Sequence, residues 1–130
     1  MVIRKTMTNI EIYTHANNLL NAFENIAEQR LPVKVHFYFQ KNMNVLVNMA
    51  RELEKSRTEI LGRYGVMDKE TGNYKIENEK VDLVNKDIND LFSLEQEVKL
   101  HTFPIDWLDG VELTAQQVNA FTFMIDEEEE

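Results

Sequence analysis

The sequence predicts a mainly α fold with a small β component. One long central helix is packed by two to three shorter helices, with a β-hairpin after the long helix and a short two-stranded sheet. Three observations carry this expectation. Between Pro32 and Tyr64, the residues Phe39, Met43, Leu46, Ala50, Leu53, Arg57, Ile60 and Tyr64 follow at alternating steps of four and three, the spacing of one helical face. Shorter stretches near residues 16–27 and 81–92 repeat that period, whereas Ile10–Tyr13 and Glu97–Phe103 alternate as half-buried strands do. Gly72 sits in a polar turn between two β-prone arms.

A chain of 130 residues suits a single domain spanning 1–130, with residues 1–8 and 127–130 expected as flexible ends. The 43% hydrophobic and 28% charged content is that of ordinary globular material rather than disordered chain. Without cysteine, disulfides, thiolate zinc sites and cysteine nucleophiles are excluded. No apolar run approaches the roughly 20 residues of a membrane span, and none follows Arg4 and Lys5 as a signal peptide requires. No membrane contact and a cytosolic location are therefore expected.

In chain order, Ile10–Tyr13 reads as a strand, with Thr14 as the N-cap of a helix whose apolar face is Ala16, Leu19, Leu20, Phe23, Ile26 and Ala27. Pro32 ends that helix and opens the next. Val33–Phe39 alternates as a strand would, but Val35 and Phe39 join the long seam, so helix is preferred. Gly65 is placed as the left-handed residue ending the long helix, with Arg63 favourably near the negative end of its dipole. Residues 66–76 form the hairpin. Asn78 and Glu79 introduce a third helix with the stripe Val81, Val84, Ile88, Leu91 and Phe92. Glu97–Phe103 is the natural partner of Ile10–Tyr13, and Pro104 ends it. After a short turn at 105–110, Thr114 and Gln117 form a capping box, Leu113 and Val118 a hydrophobic staple, and Val118, Phe121 and Ile125 the buried face of a last helix.

Net charge is −9 and lopsided. Residues 1–65 hold nine Lys/Arg against six Asp/Glu, a net +3, while residues 66–130 hold five against seventeen, a net −12. An acidic half of this kind either keeps the protein dispersed or meets a basic partner. Its candidate surface residues are Asp82, Asp87, Asp90, Asp106 and Asp109.

Recognisable catalytic chemistry is absent from the sequence. Asp68, Glu70 and Glu79 match positions one, three and twelve of a calcium loop, but Gly72 and Asn73 occupy positions five and six in the wrong order. His15, His36 and His101 lack the local pairing of zinc ligands. There is no glycine-rich phosphate loop or nucleophile elbow. Catalytic residues, cofactors and metals are thus expected to be none. Lys41, Arg51, Lys55 and Arg63, with Lys34, are interrupted by Glu52, Glu54 and Glu59, so direct nucleic-acid contact is not expected. The seam itself has two uses: the core of a small helical domain, or an interface with another chain made by Phe39, Met43, Leu46, Leu53, Arg57, Ile60 and Tyr64. Self-association is one form of the second use. Because Arg57 is costly to bury unpaired, Asp82, Asp87 and Asp90 are its expected partners unless a second protomer supplies one.

Leu31-Pro32-Val33-Lys34-Val35, then Lys41-Asn42, a charged helix ending Arg63-Tyr64-Gly65, Leu94–Val98 and Val111–Thr114 stand in an order that resembles small uncharacterised proteins of bacteriophages and prophages of Gram-positive bacteria. The resemblance implies a phage origin and a compact, mostly helical fold, and it supplies no catalytic residues. The implied role is a non-enzymatic protein-interaction module, foremost a virion or assembly component bound to a phage structural protein. The alternative is an acidic intracellular inhibitor that covers the basic nucleic-acid-binding surface of a host defence protein. Location would be the host cytoplasm or the virion.

Overall fold

The computed structural model describes residues 2–28 and 31–125, without the side chains of 24–28 and 116. The chain runs β1 (Val2–Thr8), α1 (Asn9–Glu28), α2 (Val33–Tyr64), β2 (Gly65–Met67), β3 (Tyr74–Ile76), α3 (Val81–Ser93), β4 (Glu95–His101) and α4 (Ala115–Phe121), with a 3-10 turn at Ile105–Leu108. Helices hold most of the described residues, so the fold is mainly α plus two small sheets. The long helix keeps the expected bounds, and residues 33–39 are helical.

The start of the chain differs from expectation. Residues 2–8, expected as a loose end, form β1, while Ile10–Tyr13, expected as a strand, lie inside α1. Thr8, not Thr14, begins the helix: its hydroxyl accepts from the Glu11 N–H at 3.2 Å, and the Glu11 carboxylate accepts from the Thr8 N–H at 3.1 Å. That reciprocal pair is a capping box, and it sets the helical period that buries Ile12, Ala16, Leu19 and Ala22. Leu20, expected on this face, is half exposed; Ile26 and Ala27 lie outside the described side chains.

β1 pairs antiparallel with β4 from Val2 opposite His101 to Thr8 opposite Glu95. On the outer face Arg4 stands opposite Lys99, a like charge, and reaches diagonally to Glu97 at 3.4 Å. On the inner face Met7, Val98 and Leu100 are buried. Asn9 pins the α3–β4 junction: its amide donates to the Leu91 carbonyl at 2.7 Å and its oxygen accepts from Gln96 at 2.6 Å.

Gly65 ends α2, but not in the left-handed conformation expected of it. Its φ of −129° is extended, and it begins β2. Glycine is needed there for closeness, because an added Cβ would overlap the Ile76 side chain and approach the Lys75 carbonyl oxygen to 2.7 Å. The left-handed position is Gly72 in the hairpin turn, with φ +73°.

The core lies where α1, α2, β4 and α4 meet. Phe39 of α2 packs 5.3 Å from Phe121 of α4, which meets Phe103 edge-on at 6.2 Å. All three rings are fully buried. Burying a phenylalanine contributes about 1.5–3 kcal/mol, so this trio, drawn from three separated segments, fixes where α4 docks.

Candidate functional site

Past Leu53 no residue of α2 is fully buried, so the seam divides. Phe39, Leu46 and Leu53 are inside the chain's own core and Met43 packs against it, which corrects their assignment to an interface with another chain. The physical reason is that α1 and β4 already cover that face. Arg57 does not enter the core either. Its guanidinium is exposed and lies 3.7 Å from Glu54, one turn back, rather than near Asp82, Asp87 or Asp90. Ile60 and Tyr64 are half-buried. The Tyr64 hydroxyl donates to Asp87 at 2.7 Å, and that hydrogen bond to a carboxylate raises the phenol above its usual pKa of 10.0. Arg63, 3.9 Å from the same carboxylate, is the cation that α3 meets.

The expected acidic surface is not one surface. Asp82, Asp87 and Asp90 ride on α3, beside the C-terminal end of α2. Asp106 and Asp109 belong to the turn after β4, where Trp107 stacks on Tyr38 near the opposite end of α2. Tyr38 and Tyr64 are about 39 Å apart along the helix at 1.5 Å per residue.

At that second end the structure builds a groove of about 340 Å³. β4 ends at His101, short of the expected Phe103, and Pro104 instead precedes one 3-10 turn that presents Ile105 and Leu108 on one side, three residues apart as that helix requires. Gly110, at φ +78°, redirects the chain so that Val111 and Leu113 continue the same wall. The opposite wall is α4. Its capping box holds as expected: Thr114 accepts from the Gln117 N–H at 3.2 Å, and Gln117 accepts from the Thr114 N–H at 2.9 Å. Val118, Phe121 and Ile125 then face the groove. Val118 departs from its expected burial; it is 47% exposed because nothing in the described chain covers it. Ile105 is exposed at 50% for the same reason.

Among the described residues seven of the eight lining side chains are apolar, and the eighth is Asp109. Asp106 and Glu112, both exposed, lie on the same stretch, and among the described residues no lysine or arginine lines the wall. The sequence continues from the lining residue Ile125 into Asp126 and then Glu127–Glu130, the acidic run expected to fray, and all of these lie outside the described residues. The site is therefore apolar inside and anionic at its edge.

The histidines sit in packing roles: His15 lies 4.6 Å from the Phe123 ring, His36 6.4 Å from Phe23 and His101 5.3 Å from Tyr38. In the hairpin, the Asp68 carboxylate accepts from the Glu70 N–H at 2.9 Å and shapes the turn. Among the described residues no group of three or more histidine and acidic side chains is placed to hold a metal, and no helix is long and apolar enough to cross a membrane.

No protein-family model matches the chain, and neither a curated protein nor a solved structure is significantly similar to it. The lining residues all fall within Ile105–Ile125, and the groove was missed in the sequence because they face one another only once the 3-10 turn folds back against α4; Ile105, Leu108 and Val111 at steps of three carried a signal of it.

Proposed function

We propose that this chain is a non-enzymatic protein-interaction module, and that its groove holds a segment of a partner protein that is apolar on one side and basic on the other. The observation that carries the reading is an apolar, open-sided trough, lined by Ile105 and Val118 at half exposure, on a stretch that bears Asp106, Asp109 and Glu112. Apolar contact would supply affinity, while the acidic edge selects a cationic partner and speeds its approach. An amphipathic helix with anchors at steps of three and four fits such a trough.

The resemblance to phage and prophage proteins favours a virion or assembly protein as that partner, with the chain in the host cytoplasm or the virion. A host defence protein is the second reading, and the acidic rim supports it, because nucleic-acid-binding grooves in such proteins are basic. The test is capture from lysate of phage-producing cells at low salt by the wild-type chain, beside Ile105→Asp and Val118→Asp. The expected result is a basic protein retained by wild type and lost from both variants. Recovery of the same proteins by all three chains would overturn the groove as the site.

A further inference from the structure

The 3-10 turn that walls the groove with Ile105 and Leu108 carries Trp107 toward a different surface. There α2 presents Lys34, Phe37, Tyr38 and Lys41 at helical steps of three and four. The rings and ammonium groups interleave. Tyr38 stacks on Trp107 at 5.6 Å and lies 5.3 Å from His101 at the end of β4. Lys34 Nζ stands 5.0 Å over the Trp107 ring, and Lys41 Nζ stands 5.0 Å over Phe37. Phe37 is 51% exposed, unusual for a phenylalanine with a lysine above it and the core one turn away.

The surface bears several lysines although the chain is acidic, with Asp106 next to Trp107 on the edge it shares with the groove. Among the described residues Lys34, Lys41 and Lys99 have no carboxylate within ion-pair distance. The side-chain charges that act on His101 are Lys41 and Lys99, both positive. Lys99 precedes His101 by two positions on the strand, so both project from the same sheet face.

We propose that this surface binds single-stranded nucleic acid, with bases against Phe37 and Tyr38 and phosphates at Lys34, Lys41 and Lys99. Single strands are held by rings that stack on any base beside cations that track the backbone, and both components are present here. An acidic peptide would satisfy the lysines but leave an exposed phenylalanine ring without use. The inference departs from the sequence expectation of no nucleic-acid contact. That expectation followed the charges along α2, where Glu52, Glu54 and Glu59 intervene, and not the surface that three segments assemble at its start.

Trp107 is the sole tryptophan, so its fluorescence reports the site directly. An oligothymidine of about 12 nucleotides titrated into the full chain should change that fluorescence, with half-saturation in the micromolar range. Three phosphate contacts on a single strand predict a roughly 18-fold weakening between about 50 and about 200 mM salt. Phe37→Ala and the double variant Lys34→Glu with Lys41→Glu, all at exposed positions, should each weaken binding at least about tenfold while circular dichroism is unchanged. Val66→Asp, at an exposed position on the hairpin at the other end of α2, should bind as wild type. No response at about 100 µM oligonucleotide would overturn the proposal. So would binding that survives the lysine reversal, or equal binding of a polyglutamate peptide that is indifferent to Phe37→Ala.

Discussion

The carboxamide of Asn42 bonds both backbone polar groups of His101: its oxygen accepts from the His101 N–H at 2.8 Å, and its nitrogen donates to the His101 carbonyl at 2.8 Å. Asn42 is fully buried in the middle of α2, and His101 is the last residue of β4. The pair therefore fixes where the strand leaves the sheet, and with it the position of the turn that forms the groove wall. Asn42→Leu leaves two buried backbone groups without partners and should cost about 2–4 kcal/mol in urea unfolding. A loss below about 0.5 kcal/mol, the scale of surface changes, would show that the contact is incidental.

Phe121 links the core to the groove, because its ring meets Phe39 and Phe103 and also lines the trough. Phe121→Ala should destabilise by about 3–5 kcal/mol. Val118→Asp, at a half-exposed position, should change stability by no more than about 0.5 kcal/mol. Chemical denaturation of the two side by side checks both, and it also establishes that Val118→Asp perturbs the groove without perturbing the fold.

The hairpin glycines should respond for different reasons. Gly72→Ala puts a side chain at φ +73° with open space around it and should cost about 1 kcal/mol. Gly65→Ala meets the Lys75 carbonyl, which cannot rotate away while the strands stay paired. Hydrogen exchange should show the amides of residues 65–67 and 74–76 losing protection in Gly65→Ala and keeping most of it in Gly72→Ala.

Acid should weaken the fold in two stages. Burial holds His15 below its ordinary pKa of 6.5, with Lys5 acting in the same direction and Glu11 against it. The unfolded chain thus takes up its proton first, and stability falls as pH drops below about 6.5 toward the lower folded value. His101 acts in the same sense, through burial and then Lys41 and Lys99. Glu11 is held below 4.5 chiefly by the Thr8 N–H, so its contribution is lost only at more acid pH. His15→Gln should flatten the first stage, and equal slopes for the variant and wild type between about pH 7 and 5 would contradict the assignment.

What the sequence made legible follows from where each signal is local. The bounds of α2 were readable because Pro32, the seam and Gly65 all lie within the element. The last helix was readable from Thr114 and Gln117. β1 was not, because Arg4 and Lys5 interrupt its alternation and its partner lies about ninety residues away, across a strand spacing of about 4.8 Å that only the fold creates. The Thr8–Glu11 capping box was present to be seen and would have moved the first helix to its true start. Gly65 was recognised as the stop for the wrong reason, since crowding by β3 is tertiary. At the seam, periodicity identified Phe39 and Leu46 as apolar contacts but held no information on whether the cover was the same chain or another. The aromatic surface draws on separated segments, and the groove on two halves of residues 105–125 that meet only through the fold of that stretch, so neither was visible as a unit.

The proposed partner protein would lie in the trough between the 3-10 turn and α4. A photoreactive phenylalanine derivative placed at Val118, and separately at the exposed apolar positions Leu83 of α3 and Val66 of the hairpin, tests it in cells that contain the partner. The expected result is a covalent adduct from position 118 to a basic protein and none to that protein from positions 83 or 66. Adducts from 83 or 66 with none from 118 would contradict it.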